Sequence, residues 1–243
     1  MNHMKKLIFV AVSMLGFGIT LLGKDVARFE SGPAQVSLLE LYTSEGCSSC
    51  PPAEAWLSEL SRNPKVWRAV VPVSFHVDYW DNLGWKDAFS SREFTLRQRS
   101  YAASWGSESI YTPAFVLNGA EWQGWGQAVP AGANQQAGKL TVEVRGSEVV
   151  VRYLSERSGG PYAVEIVPLR LNVTSHVTRG ENAGRTLTHQ FIALSVVKVD
   201  LAQSGDGFSG RISYPTDKAD ALAAWISSAE SLTPIQATGG LLR

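Results

Sequence analysis

The pattern of apolar and polar positions changes character near residue 138. Before it, two apolar, β-branched runs, Val36–Tyr42 and Ala69–Val77, flank a stretch in which Ala53, Trp56, Leu57 and Leu60 recur at helical spacing until Asn63-Pro64. Strand, helix and strand in that order predict a βαβ unit with parallel strands. A second helix is expected over Trp85–Trp105, where Phe89, Phe94, Tyr101 and Trp105 punctuate a polar segment that Gly106 ends. Ile110–Gly119 predicts a short strand that starts after Thr112-Pro113 and runs into an Asn118-Gly119 hairpin turn.

After residue 138, alternation takes over. Lys139–Arg145 and Glu148–Leu154 alternate around Gly146-Ser147, the pattern of a hairpin. Tyr162–Val173, Thr186–Val199, Gly207–Ser213, Ala221–Ser227 and Pro234–Leu242 read as further strands, although Ala219–Ser228 fits a helix equally well. Evenly spaced strands with glycine-rich turns predict an antiparallel β-sandwich-like domain. The expected organisation is an α/β domain over residues 30–137 and a β-rich domain over 138–243, joined through Gly124-Trp-Gly126 and Pro130–Gln136.

Residues 1–23 read as a signal peptide: Lys5-Lys6 supply the positive end and Leu7–Leu22 the apolar stretch. That stretch is short for a spanning helix, so no stable membrane span is expected unless the signal stays uncleaved. The expected location is periplasmic or secreted, where two cysteines can persist as a disulfide. Apolar residues make up 44% of the chain and charged residues 18%, as in a folded globular protein. The 22 basic and 22 acidic residues cancel and form no basic run, which argues against a nucleic acid partner.

Cys47 and Cys50 are the only cysteines, and their Cys-x-x-Cys lies between the first predicted strand and helix. That context points to redox chemistry, and the lack of a second pair excludes a four-cysteine zinc site. Two intervening residues let both sulfurs meet across one turn, yet a bond closing so short a loop is a poor staple. A thiolate near a helix N-terminus is stabilised by free N–H groups, so Cys47 is expected to attack and Cys50 to resolve. Pro51 and Pro52 place the helix start at Cys50 or Pro51. Pro51 also biases Cys50 away from helical dihedrals, which would leave Cys47 at the edge of the dipole's reach. Pro113, just before a strand, is at a common position for a cis bond.

Other residues are candidates with competing structural roles. His76 lies on the second strand, on one face with Ser74 and Asp78. With Cys47 and Cys50 it makes a sulfur–imidazole set suited to Cu(I), the alternative being an imidazole bonded to a backbone carbonyl. Glu40 either exchanges a proton with Cys50 or faces outward. Asp78 and Asp81 are expected to cap the next helix. Trp80, Trp85, Trp105, Trp122 and Trp125 either line a peptide groove or pack the core. Arg179, Glu181, Asn182 and Arg185 form a polar loop around Gly180 and Gly184, with a structural or domain-docking role expected.

A strand leading into Cys47-Ser-Ser-Cys50 on a helix, followed by Thr112-Pro113 and Phe115-Val-Leu-Asn-Gly119, resembles the thioredoxin superfamily. The resemblance implies an α/β thioredoxin-like fold, a redox pair at Cys47 and Cys50, and a cis-proline at Pro113, preceded by Thr112, facing that pair. The chain departs from ordinary members in having Gly46 rather than tryptophan before the motif and two serines inside it. Tyr42-Thr-Ser-Glu-Gly-Cys-Ser-Ser-Cys-Pro-Pro52, Val77-Asp-Tyr-Trp-Asp81, Tyr111-Thr-Pro113 and Arg179-Gly-Glu-Asn-Ala-Gly-Arg-Thr-Leu-Thr188 further resemble an exported bacterial family, domain of unknown function 1223. That family implies a fold and no activity. The function expected is a thiol–disulfide oxidoreductase that acts on protein thiols or disulfides, without a cofactor beyond the cysteine pair. A copper-binding module and a non-catalytic binding protein are the alternatives.

Overall fold

The chain opens with strand β1 (Val26–Glu30), then β2 (Ser37–Thr43), helix α1 (Pro51–Glu59) and β3 (Val70–His76). The structure, a computed structural model, describes residues 26–130, 132, 136–156, 159–216 and 218–242; the signal-like segment 1–23 lies outside them. β2 and β3 pair in parallel from Ser37 opposite Val70 to Thr43 opposite His76, and every residue of both is buried. Parallel strands covered on both faces need continuous apolar runs, which is what the sequence carries there. α1 starts at Pro51 because the first turn has no use for the N–H groups that Pro51 and Pro52 lack. Cys50, the residue before it, is itself helical (φ −75°, ψ −36°) rather than extended, because its carbonyl already accepts from Ala53 N and Glu54 N.

Helix α2 (Arg92–Ser104) is shorter than the periodicity predicts. Residues 85–90 are held as a loop by side chains: Asp81 accepts from Asp87 N and Ser90 Oγ, and Asp87 accepts from Phe89 N. Ser91, not Asp78 or Asp81, caps α2 by accepting from Glu93 N. Strands β4 (Ala114–Leu117) and β5 (Ala120–Glu121) follow, turning at Asn118 and Gly119. Both turn residues have positive φ, 51° and 86°, as a two-residue hairpin of this hand requires.

Among the described residues the remaining regular elements are strands. β6 (Lys139–Arg145) and β7 (Glu148–Leu154) form the hairpin at Gly146-Ser147. β8 (Tyr162–Arg170) and β9 (Val173–His176) precede β10 (Thr186–His189), β11 (Ile192–Ala193) and β12 (Val197–Asp200). β13 (Ala202–Ser204), β14 (Gly207–Ser213), β15 (Ala221–Ser228) and β16 (Pro234–Leu241) complete it. Residues 221–228 are a strand, not the helix their composition also allows, because they pair with β8 on one side and β16 on the other and all but Ser228 are buried.

The expected α/β thioredoxin-like fold with a C-terminal antiparallel β-sandwich-like domain is not the fold the chain adopts. Among the described residues strand accounts for 44% and helix for 13%, with two α-helices. The physical reason lies at the open edge of β3. Local periodicity finds the βαβ unit but does not reveal what continues its sheet. Ser74 N donates to Phe191 O at 2.7 Å and Ile192 pairs with Ser74, so β11 bonds to β3 on one side and β8 on the other. A nine-stranded mixed sheet results, ordered β16-β15-β8-β11-β3-β2-β4-β5 with β12 also on β8. A five-stranded sheet, β1-β6-β7-β14-β13, packs on it, and β9 and β10 make a separate ribbon.

Three apolar clusters fill the layers. One lies between the five-stranded sheet and β8, β15 and β16, around Val142, Val151, Tyr153, Ile166 and Ile226. A second lies under α1, with Leu39, Leu41, Ala53 and Leu57. The third lies under α2, with Tyr42, Phe75, Phe94 and Trp225. Into that third cluster α2 inserts Arg97. Its guanidinium donates to Glu40 Oε2 on β2 at 2.8 Å and to Glu165 of β8, and lies 5.1–5.5 Å from the ring centroids of Phe75, Tyr101 and Trp225. Tyr101 and Tyr42 donate to Glu40 at 2.6 and 2.9 Å. Removing the cation would strand two buried carboxylates. Arg97→Met is expected to destabilise the protein by about 3–5 kcal/mol, read as a lower urea midpoint with an unchanged slope.

Candidate functional site

Cys47 and Cys50 are joined as a disulfide with their Cα atoms 5.5 Å apart, a normal span for such a bond. Both are fully buried, while Ser48 and Ser49 between them are exposed. Cys47 Sγ is 3.3 Å from Ser49 Oγ. The loop between β9 and β10 covers the pair. Its fully buried Asn182 donates from Nδ2 to the carbonyls of Glu45 and Cys47, each at 2.9 Å, and Glu181 accepts from Ser48 N at 3.1 Å. Arg185 holds the Asn182 amide from the other side, donating to Oδ1 at 3.0 Å. The polar loop read from the sequence is thus a cap on the cysteines.

On the other side Gly46 leaves room for Trp80: a Cβ on Gly46 would come within 3.1 Å of the Trp80 Cβ. Trp80 donates from its indole to Thr112 Oγ1 at 2.8 Å, which ties Thr112 to the wall beside the motif. The Thr112-Pro113 bond is cis.

Beyond the disulfide lies a buried polar cluster assembled from five segments. β2 ends in Thr43, Glu45 follows it, Glu54 lies one helical turn after Cys50, His76 ends β3, Asp87 comes from the loop before α2, and His189 ends β10. His189 is bonded at both nitrogens, Nδ1 to Glu54 Oε2 and Nε2 to Glu45 Oε1 at 3.1 Å. Burial disfavours its charged form, but the bonds and charges of Glu45 and Glu54 outweigh burial and push its pKa up to about 10. His76 Nδ1 is 2.7 Å from Asp87 Oδ2, an oxygen that also accepts from Glu45 N at 2.8 Å. Burial again opposes the charge on His76, and the Asp87 carboxylate overcomes it and raises the pKa. In turn Asp87 and Glu45 are held below their ordinary range despite burial, by His76 and His189 respectively. Thr43 Oγ1 donates to Glu54 Oε1 at 2.5 Å, and the Trp85 indole to Glu45 Oε2 at 2.7 Å. A cleft of about 490 Å³ between α1 and β10 reaches this cluster at Glu54, with Pro51, Ala55, Thr186 and Thr188 on its walls.

The sequence candidates separate accordingly. Cys47 and Cys50 meet each other, and His76 turns its Nδ1 to Asp87; the acid and imidazole atoms that converge belong to Glu54, His76 and His189. Glu40 is buried, but it shares the α2 face of β2 with Leu38 and Tyr42, whereas Leu39 and Leu41 face α1; its partners are Arg97, Tyr42 and Tyr101 rather than Cys50. Asp78 accepts from the Thr95 hydroxyl at 2.6 Å. Among the tryptophans, Trp122 packs on Trp56 and Phe115, Trp125 on Phe115, and Trp105 stacks on Tyr101. Glu45, Glu54, Asp87 and His189 escape a reading of the sequence. Glu54 alone carried a local signal, since a residue four after Cys50 lies on the same helix face. His189 ends a polar, alternating strand far along the chain and carries none.

A mostly β protein with a capped Cys-x-x-Cys disulfide over an acid–imidazole cluster is the class that fold and site define. The chain belongs to the family described as protein of unknown function (DUF1223), whose model matches residues 38–227. Among solved structures, it is similar to protein AGR_C_4864 from Agrobacterium tumefaciens at 25% identity and a TM-score of 0.64, over 86% of this chain and 96% of that one. It is also similar in fold to HBP35 of Porphyromonas gingivalis at 16% identity and a TM-score of 0.54, over 87% of this chain and 76% of that one. No curated protein matches it significantly.

Two outcomes follow from this geometry. Asn182→Ala removes two of the three hydrogen bonds described between the cap and the cysteine loop, which costs about 1–3 kcal/mol. It is expected to speed reduction of the disulfide by dithiothreitol about tenfold through a more populated open cap, measured by thiol trapping. The second concerns pH. His189 titrates near 6.5 when unfolded and about 10 when folded, so the folded state binds the extra proton. Its contribution to stability is complete below about pH 6.5 and is lost progressively as pH rises through about 10. Urea unfolding in EDTA, which keeps adventitious metal off the imidazole, is expected to show that decline, and His189→Gln to flatten it.

Proposed function

We propose that this protein is a thiol–disulfide oxidoreductase acting on protein substrates, with Cys47 and Cys50 as its redox pair. The observation that carries the reading is where the disulfide lies. It closes a loop too short to restrict the unfolded chain usefully, at the N-terminus of a helix whose first turn leads to a buried acid–imidazole cluster. Cys50 is the N-cap of α1, so a thiolate released there meets the positive end of the helix.

The exchange balances as two displacements. A substrate thiolate attacks Cys47 Sγ, the Cys47–Cys50 bond breaks, and Cys50 leaves as the thiolate. A second substrate thiolate attacks the mixed disulfide at the substrate sulfur and releases Cys47, so two electrons pass from the substrate dithiol to the pair. The reverse sequence reduces a substrate disulfide with Cys47 as the attacking thiolate. Because Cys47 is buried, attack requires the 177–185 loop to lift, and Ser48 and Ser49 are the exposed surface that a partner meets first. Thr112 and Pro113, reached from Gly46 through Trp80, would border the incoming substrate segment. Export, as residues 1–23 suggest, would place the pair in an oxidising compartment.

The test is the reduction potential of the pair, obtained by equilibrating the protein in glutathione buffers and trapping thiols. A value between roughly −270 and −120 mV is expected, the span of working dithiol oxidoreductases. A value below roughly −300 mV would mark a structural disulfide and end the proposal.

A further inference from the structure

The cluster beneath the disulfide has one polar atom that nothing in it satisfies. His76 is fully buried, its Nδ1 is taken by Asp87, and its Nε2 has no hydrogen-bond partner. An orphaned nitrogen in a buried, polar setting calls for an explanation, since such groups are nearly always paired. Ligand atoms of Glu54, His76 and His189 lie within 4.8 Å of one another, and all three residues are buried.

We propose that Glu54, His76 and His189 form a binding site for a divalent zinc-type metal ion, held at His76 Nε2, His189 Nδ1 and a Glu54 carboxylate oxygen. Two imidazoles and one carboxylate are a donor set that zinc accepts at about 2.0–2.2 Å, with a fourth position left over. Three atoms within 4.8 Å of each other can meet one such ion with small side-chain adjustments.

The surroundings are built as an outer shell should be. Metal-bound histidines characteristically donate their second nitrogen to a carboxylate, which fixes the tautomer and aims the first nitrogen at the metal. Both histidines here have that partner: Asp87 on His76 Nδ1 and Glu45 on His189 Nε2. Glu54 has its own support, since Thr43 donates to Oε1 and leaves Oε2 toward His189. Glu45 and Asp87 are themselves fixed, by Trp85 and by the Glu45 and Phe89 backbone amides. Charge points the same way. Three buried acidic side chains, Glu45, Glu54 and Asp87, are gathered around two imidazoles, an acid-rich setting that suits a cation. The cleft between α1 and β10 has Glu54 in its wall, which brings solvent to the edge of the cluster. The sulfur donors that would suit Cu(I) are bonded to each other and take no part.

The proposal does not rest on the redox reading, and the experiment separates them. The oxidised full chain is stripped with EDTA and titrated with zinc by calorimetry, and separately with cobalt(II), whose visible bands report tetrahedral nitrogen–oxygen ligation. Stoichiometric zinc at micromolar concentration is expected, with His76→Ala and His189→Ala abolishing it. Asp87→Asn, which removes no ligand, is expected to weaken binding about 10- to 100-fold. A Cys47→Ser/Cys50→Ser double variant is expected to bind as the parent does. The proposal is overturned if the folded parent, checked by circular dichroism, takes up no zinc at micromolar concentration. It is equally overturned if the double cysteine variant loses the metal while His76→Ala retains it.

Discussion

One buried cation holds the two parts of the chain in register. Arg97 reaches from α2 into the sheet and binds Glu40 of β2 and Glu165 of β8, strands that lie on opposite sides of β3 and β11 in the sheet order. A charge so deep persists only because both carboxylates, two tyrosine hydroxyls and three aromatic faces surround it. The β3–β11 junction it spans is narrow, with β11 contributing Ile192 alone to the ladder on β3. The ion pairs therefore reinforce the place where backbone pairing is thinnest. Once β8 is fixed there, β15 and β16 follow as its antiparallel neighbours, and the five-stranded sheet has a face to pack on.

The same junction builds the site. His189 and Asn182 come from the segment that follows β8, and they reach the cysteine loop because β11 docks against β3 just beyond them. The cysteine motif is local, yet its cover and the His189 of the cluster beneath it are supplied from far along the chain. Each acid in that cluster is held by groups that are themselves held, so the arrangement is preorganised rather than merely close. A disulfide beside such a cluster has Glu54, bonded to His189, one helical turn from Cys50, and a cap held on it by a buried amide.

The sequence made some of this legible. Buried parallel strands at 36–42 and 69–77, a helix beginning at the double proline, and hairpins at Gly146-Ser147 and Asn118-Gly119 depend on neighbours a few residues apart, and the structure carries them. Where local signals met long-range ones, the reading failed. The helix expected from Trp85 starts only at Arg92, because Asp81 and Asp87 bind the backbone and hydroxyls between. The α/β fold class failed because an open strand edge looks alike in sequence whether it ends a sheet or continues it. Glu40 and His76 were visible as unusual polar residues in apolar strands, but their partners were not.

What the amino-acid order determined alone is the cysteine pair, its two-residue spacing and its place at a helix start, since backbone geometry at that range depends on adjacent residues only. What tertiary structure decided is everything that faces it. Whether Glu54 meets a solvent molecule or His189 depends on segments brought together across 135 residues, and whether His76 points to sulfur or to Asp87 depends on how the loop 11 residues further on is held. Hydrophobic and turn signals fall off within a few positions, whereas a buried imidazole is defined by whichever carboxylate the fold carries to within hydrogen-bond range.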